Sequence, residues 1–127
     1  YFVVAHELAH IKLRHANSRI RLTAGSCGRS SVDRDEYIQM LIECVRTNNI
    51  DNHEFQVKAN RLSREQEHEA DVWAVDFLRS NNFPIDYRGI FEKINVHKSD
   101  ENSTHPGSAK RIEHIEQFLS NADIGTN

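Results

Sequence analysis

Two histidines four residues apart, with a glutamate beside the first, form the segment His6-Glu7-Leu8-Ala9-His10. On an α-helix, positions four apart differ by about 40° around the axis and about 6 Å along it, so both imidazoles can converge on one ion. Zinc held by two imidazoles needs further ligands, and a hydrolytic site keeps one position for a water whose pKa the metal lowers toward about 7. Glu7 stands at the edge of such a site, where it can take that water's proton. The pentapeptide alone also arises by chance, so the reading needs a second element.

That element is the run from Arg64 to about Ser80, with helical periodicity behind a Ser63/Gln66 capping-box spacing and a stop at Asn81-Asn82-Phe83-Pro84. With Glu67 at zero on the helical wheel, Ala70, Asp71, Ala74 and Leu78 lie within about 60° of it, which puts two carboxylates on the apolar face. Glu65, Glu69 and Asp76 fall on the opposite side, where charges are simply solvated. An unpaired buried carboxylate is costly, so Glu67 and Asp71 require partners. A metal with its histidine ligands satisfies both, Glu67 as third ligand and Asp71 as acceptor for the other ring N–H of His6 or His10. A buried salt bridge to an arginine is the alternative.

The elements that must position these groups read as helices. Tyr1 to about His15 is apolar all round the wheel, which predicts a helix buried on every side. Thr23 to Ser31 reads as a loop. Asp33 with Glu36 has capping-box spacing ahead of Ile38, Leu41, Ile42 and Val45, predicting a second helix that stops at Asn48-Asn49. Residues 50–62 do not decide between helix and loop. Asp86 caps a short helix through Ile94, Lys98 to Ser103 reads as loop, and Pro106 opens a last helix whose apolar side is Ala109, Ile112, Ile115, Phe118 and Leu119. There is no clear strand and no internal repeat.

The bulk properties bound the rest. A chain of 127 residues is the size of one domain, 1–127, and the run Tyr1 to Ala5 at its start reads as a piece of something longer. Charged residues at 28% and apolar ones at 38% give a soluble globular balance, with no stretch near the ~20 apolar residues of a membrane span. A net charge of −3 offers no general attraction to nucleic acid. Cys27 and Cys44 show no metal or disulfide-framework spacing, so the framework is not expected to depend on them and a reducing, cytoplasmic location is the default.

Three blocks, HELAHIKLRH, SREQEHEAD and STHPGSAKRI, resemble in order the signatures of the HtpX and CAAX-prenyl-protease family of zinc metallopeptidases. The resemblance implies that Glu67 is the third zinc ligand, that Asp71 four residues on belongs to the site, and that His105 and Arg111 come from the late block. It departs from the family pattern at His68, where an aromatic is usual, and at Gly107 after His-Pro. Many members also carry membrane spans between the first two blocks, whereas residues 16–62 here are polar, so a soluble member or excised domain of a membrane-anchored parent is implied. His105, if it faces the site, can stabilise an oxyanion. His15 recurs in the family but lies about 180° from His6 on the wheel and is read as structural. His53, His97 and His114 are read as surface residues, and Tyr37 and Tyr87 are explained by their helical contexts.

The resulting expectation is a mainly α, zincin-like metallopeptidase domain in which the His6–His10 helix packs on the Glu67–Asp71 helix with one zinc ion between them and the last helix closing one side. Its substrate is a protein or peptide, with Glu7 as general base. Because nothing precedes the first helix to supply a substrate-holding edge strand, zinc binding is expected to outlast turnover in this chain. Two rivals remain: a helical regulatory module stapled by zinc without catalysis, and a metal-free interaction domain whose core histidines bond to Asp71 and Glu67.

Overall fold

The structure, a computed structural model, describes residues 1–30, 32–33, 35–47, 52–94 and 104–124, and among these every regular element is a helix. In chain order they are α1 (Phe2–Lys12), α2 (His15–Ser26), α3 (Tyr37–Arg46), α4 (Asn52–Ser80), α5 (Arg88–Ile94) and α6 (Ser108–Ile124). The mainly α expectation holds, and α1 packs on α4 as expected. Asn48-Asn49, His97 and the segment Lys98 to Ser103 lie outside the described residues.

Small residues make the α1–α4 contact close. Ala5 and Ala9 on α1 and Ala70 and Ala74 on α4 are all buried, so no large side chain separates the two backbones and the polar groups between them can meet. At one end of this seam Phe2, Val75, Leu78, Tyr87, Phe91 and Ile115 form the hydrophobic core, beside which α6 packs on α4 and α5 packs on α6. Ile112, Phe118 and Leu119 pack around it as the apolar side of the last helix, while Ala109 is exposed.

Several boundaries differ from the sequence reading for identifiable reasons. The first helix ends at Lys12, not His15, because Arg14 takes a left-handed conformation at φ 56°, ψ 40° and starts α2 in a new direction. No glycine or proline marks this break. Nor is α1 buried on every side: Val4 is 65% and Ile11 75% exposed, and only the Phe2, Ala5, His6, Ala9 face is covered. The expected loop from Thr23 is helical through Ser26, with Cys27 N–H closing on Thr23 O at 3.1 Å.

The capping boxes also fail. The α3 helix starts after Glu36 without a side-chain cap, and Met40 and Cys44, not Ile38, Ile42 and Val45, are its buried residues. Ser63 lies inside α4, which absorbs the undecided segment from Asn52 onward as one helix of 29 residues. Its end is as expected, with Asn82 left-handed at φ 57° and Phe83 N–H bonded to Leu78 O at 2.9 Å. Asp86 Oδ1 accepts the Gly89 N–H at 3.2 Å ahead of α5, and α6 begins at Ser108, two residues beyond Pro106.

The cysteines correct the sequence reading more sharply. Cys27 and Cys44 form a disulfide with Cα atoms 5.7 Å apart, so the reducing-compartment default, which rested on their being unrelated, loses its basis. Among the described elements α3 touches α2 alone, which makes this cross-link its principal tie. Closing a loop of this size contributes about 3 kcal/mol in the chain-entropy account. Reduction should therefore raise amide exchange in 37–46 by roughly 100-fold while leaving α1 and the second half of α4 protected. A uniform loss of protection across the chain would contradict this division.

Candidate metal centre

The seam between α1 and α4 holds four ionisable side chains, three of which apolar packing removes from water. Asp71 is fully buried, and Glu67 and His6 are 6% and 7% exposed. His10, one turn beyond His6, is partly exposed and opens the cluster to solvent. His6 Nε2 and His10 Nε2 lie 3.1 Å apart, and Glu67 offers Oε2 to the first and Oε1 to the second, each at 3.5 Å. Ligand atoms about 2.0–2.1 Å from a tetrahedral ion stand about 3.4 Å from one another, so the three side chains are spaced as a ligand set. They form the group of His, Cys, Asp and Glu among the described residues able to hold a metal ion.

Orienting contacts select which ring nitrogens face the centre. His6 Nδ1–H donates to Asp71 Oδ1 at 2.9 Å, which leaves Nε2 for the cluster. His10 is held by a longer chain: Glu69 Oε2 accepts from His15 Nε2–H at 3.1 Å, and His15 Nδ1 then accepts from His10 Nδ1–H at 2.7 Å. These tautomers follow from the hydrogen-bond partners. The turn at Arg14 brings His15 back beside His10, so the wheel angle that separated it from His6 no longer applies. His15 remains outside the ligand group, as expected, but its role is to orient His10. Glu69, read from sequence as merely solvated, anchors this chain.

Arg111 from the first turn of α6 completes the arrangement. Its Nε and Nη2 donate to Asp71 Oδ2 and Oδ1 at 2.7 and 2.6 Å, its Nη1 lies 3.2 Å from Glu67 Oε2, and its guanidinium sits over the Phe91 ring at 4.6 Å. The two partners weighed for the buried carboxylates, histidine and arginine, are thus both present. The guanidinium offsets part of the carboxylate charge and leaves Glu67 Oε1 toward His10.

The electrostatics mark a place for a cation. Burial opposes charge on His6, but the hydrogen bonds it donates to Asp71 and Glu67 outweigh it and raise its pKa to about 9. Burial likewise opposes charge on Glu67, and His6 and Arg111 hold it down to about 2. His10 is lowered by burial and by the charge on His6, so it stays neutral and accepts from its neighbour. In the metal-free chain a proton on His6 Nε2 supplies the positive charge that the cluster calls for.

The remaining residues surround an open cleft. Glu7 is exposed and lines it, as does His105, whose Nδ1 lies 3.6 Å from Glu67 Oε2 with the side chain 61% exposed. Glu7, Glu67 and His105 border two cavities, one of about 310 Å³ and one of about 640 Å³. A larger cavity of about 710 Å³ lies on the other flank of α4 between Trp73 and His114, and contains none of the three candidate ligands. His68 lines that cavity, so its departure from the family pattern does not touch the metal side. His53 and His114 are exposed as expected, Tyr37 donates to Thr23 Oγ1 at 3.4 Å, and Tyr87 belongs to the core.

The role of Gln66 was missed from sequence, where it was read as the capping-box partner of Ser63. It is 2% exposed, donates to His15 O at 3.0 Å and accepts from Arg19 Nε at 2.9 Å, which fastens α2 beside the centre. An amide next to a candidate ligand was the only available signal.

Comparison with protein families matches peptidase family M48 over residues 1–119. Comparison with curated proteins and with solved structures returns no match.

The two shifts set opposite limits on the metal-free chain. Glu67, lowered from 4.5 to about 2, contributes stability above pH 4.5 that is lost as pH falls through 2; His6, raised from 6.5 to about 9, contributes below pH 6.5 and is lost as pH rises through 9. Chelator-treated protein should therefore melt highest between pH 4.5 and 6.5 and lose stability toward pH 9. A melting temperature that rises from pH 6.5 to 9 would refute the assignment of charges.

Proposed function

The chain belongs to peptidase family M48, and from that premise we propose that it is a zinc metalloendopeptidase. The observation that carries this reading is the convergence of His6 Nε2, His10 Nε2 and a Glu67 carboxylate oxygen within 4.8 Å of one another. Two imidazoles and one carboxylate are a donor set that suits zinc and leaves a position open. His6, His10 and Glu67 would hold one ion per chain, with Asp71 and the His15–Glu69 pair orienting the two rings.

When bound, zinc polarises the scissile carbonyl and acidifies the attacking water. Glu7, on the cleft wall next to His6, takes the proton from that water and passes it to the departing amine nitrogen. His105, which lines the same cleft, donates to the carbonyl oxygen as negative charge develops there. Arg111 keeps Glu67 ionised and in place, and acts on the reaction only through that ligand. No helix among the described residues is long and apolar enough to cross a membrane. A stapling role alone would give Glu7 nothing to do, and its exposure on the cleft favours the catalytic reading.

Glu7→Gln should keep one zinc per chain and lower kcat/KM on a generic quenched-fluorescence peptide by at least about 100-fold. Cleavage at the wild-type rate, or purified protein without stoichiometric metal, would defeat the proposal.

A further inference from the structure

We infer that the cavity on the far flank of α4 is a second binding site, which takes an organic cation with an apolar body: a guanidinium or ammonium group beside an aromatic or aliphatic part. The inference is independent of the peptidase reading, because this cavity contains none of the candidate metal ligands.

The space is about 710 Å³, the size of a site for a small organic ligand. Leu13, Val72, Trp73 and Phe118 give it an apolar lining, and Glu69 and Asp76 stand in the same wall. Among the described residues no lysine or arginine lines it. Glu69, Trp73 and Asp76 are spaced four and three apart, so they form one row along α4 with the indole between two carboxylates. Aromatic surface flanked by carboxylates matches a ligand with one positive charge and a hydrophobic part.

Both recognition elements are held in place by the fold. The Trp73 indole stacks on Phe77 with ring centroids 5.1 Å apart and planes 8° from parallel, and Phe77 packs against the core, so the indole is a fixed platform. Of the aromatic side chains indole attracts a cation most strongly. Glu69 Oε2 accepts from His15 Nε2–H at 3.1 Å, which sets the position of that carboxylate. His68 and the exposed His114, whose rings meet edge to face at 4.6 Å, form a further part of the wall. His68 Nδ1 is buried with no hydrogen-bond partner among the described residues. Such an atom is costly, and a ligand N–H that reaches this ring relieves the cost.

Trp73 is the sole tryptophan of the chain and lines neither cavity beside Glu7, so its emission reports binding here and not in the cleft. The test titrates zinc-loaded protein at about pH 8, above the ordinary histidine range, and follows Trp73 emission together with the heat of binding. Its probes are phenethylguanidinium, the neutral isostere phenethylurea, and methylguanidinium. Phenethylguanidinium should bind with a Kd of about 0.1–1 mM. The urea, which lacks the charge, and methylguanidinium, which lacks the ring, should each bind at least about tenfold more weakly. Equal affinity for the guanidinium and the urea, or no saturable signal up to about 10 mM, overturns the inference.

Asp76→Lys puts a like charge at an exposed position away from the metal centre. It should leave zinc content and melting temperature nearly unchanged and remove the preference for guanidinium over urea; an unchanged ratio overturns the inference. Trp73→Leu, read by calorimetry, should weaken phenethylguanidinium at least about tenfold, and Asp76→Lys decides the matter if that variant does not fold. A blocked Phe-Arg dipeptide amide, titrated into zinc-loaded Glu7→Gln and followed by Trp73 emission, identifies the source of the cation. Binding tighter than that of phenethylguanidinium assigns a peptide side chain, and weaker binding assigns a free small molecule.

Discussion

Asp71 accepts from both an imidazole and a guanidinium while fully removed from water. One of its partners, His6, belongs to α1 and the other, Arg111, to α6, so a single carboxylate on α4 joins the three helices that form the site. A buried charge of this kind is tolerable only when its oxygens are hydrogen-bonded, and three donors, Arg111 Nε and Nη2 and His6 Nδ1, meet the two oxygens of Asp71. Loss of the carboxylate would strand a guanidinium against Glu67 and free the His6 ring to turn. Ligand geometry, helix packing and the ionisation of Glu67 thus share one anchor.

The second imidazole is held differently. His10 is oriented through His15 and Glu69, a chain that reaches the surface, and His15 takes part only because the backbone turns at Arg14. The two candidate ligands consequently differ in their surroundings: His6 is locked in the interior, and His10 stands at the open rim. This asymmetry opens the cluster to solvent on the His10 side, next to Glu7, and keeps His6 and Asp71 dry.

The grouping of the candidate ligands was legible in the sequence because helical periodicity fixes relative direction within one helix. His6 with His10, and Glu67 with Asp71, are each four apart, and the apolar residues around them said which way they face. What lay between helices was not legible. Nothing in Leu13-Arg14-His15 announces a break, since Arg14 adopts its left-handed conformation for tertiary reasons and not for want of helix propensity. Ser63 mimics a cap because a polar residue inside a long helix looks the same as one at its start. The apolar positions of α1 were read as buried on every side, yet pattern reports only that residues are apolar, and Val4 and Ile11 stay exposed. Cys27 and Cys44 meet through the pairing of α2 with α3, which no spacing rule encodes.

The central claim is that the seam between α1 and α4 is a zinc centre built on Asp71. Anomalous diffraction above and below the zinc absorption edge, on crystals of the purified chain, tests it most directly. The account predicts one anomalous peak per chain within about 2.0–2.2 Å of His6 Nε2, His10 Nε2 and a Glu67 oxygen, with His6 Nδ1 still bonded to Asp71. A peak elsewhere, or none in crystals grown with stoichiometric zinc, would contradict it.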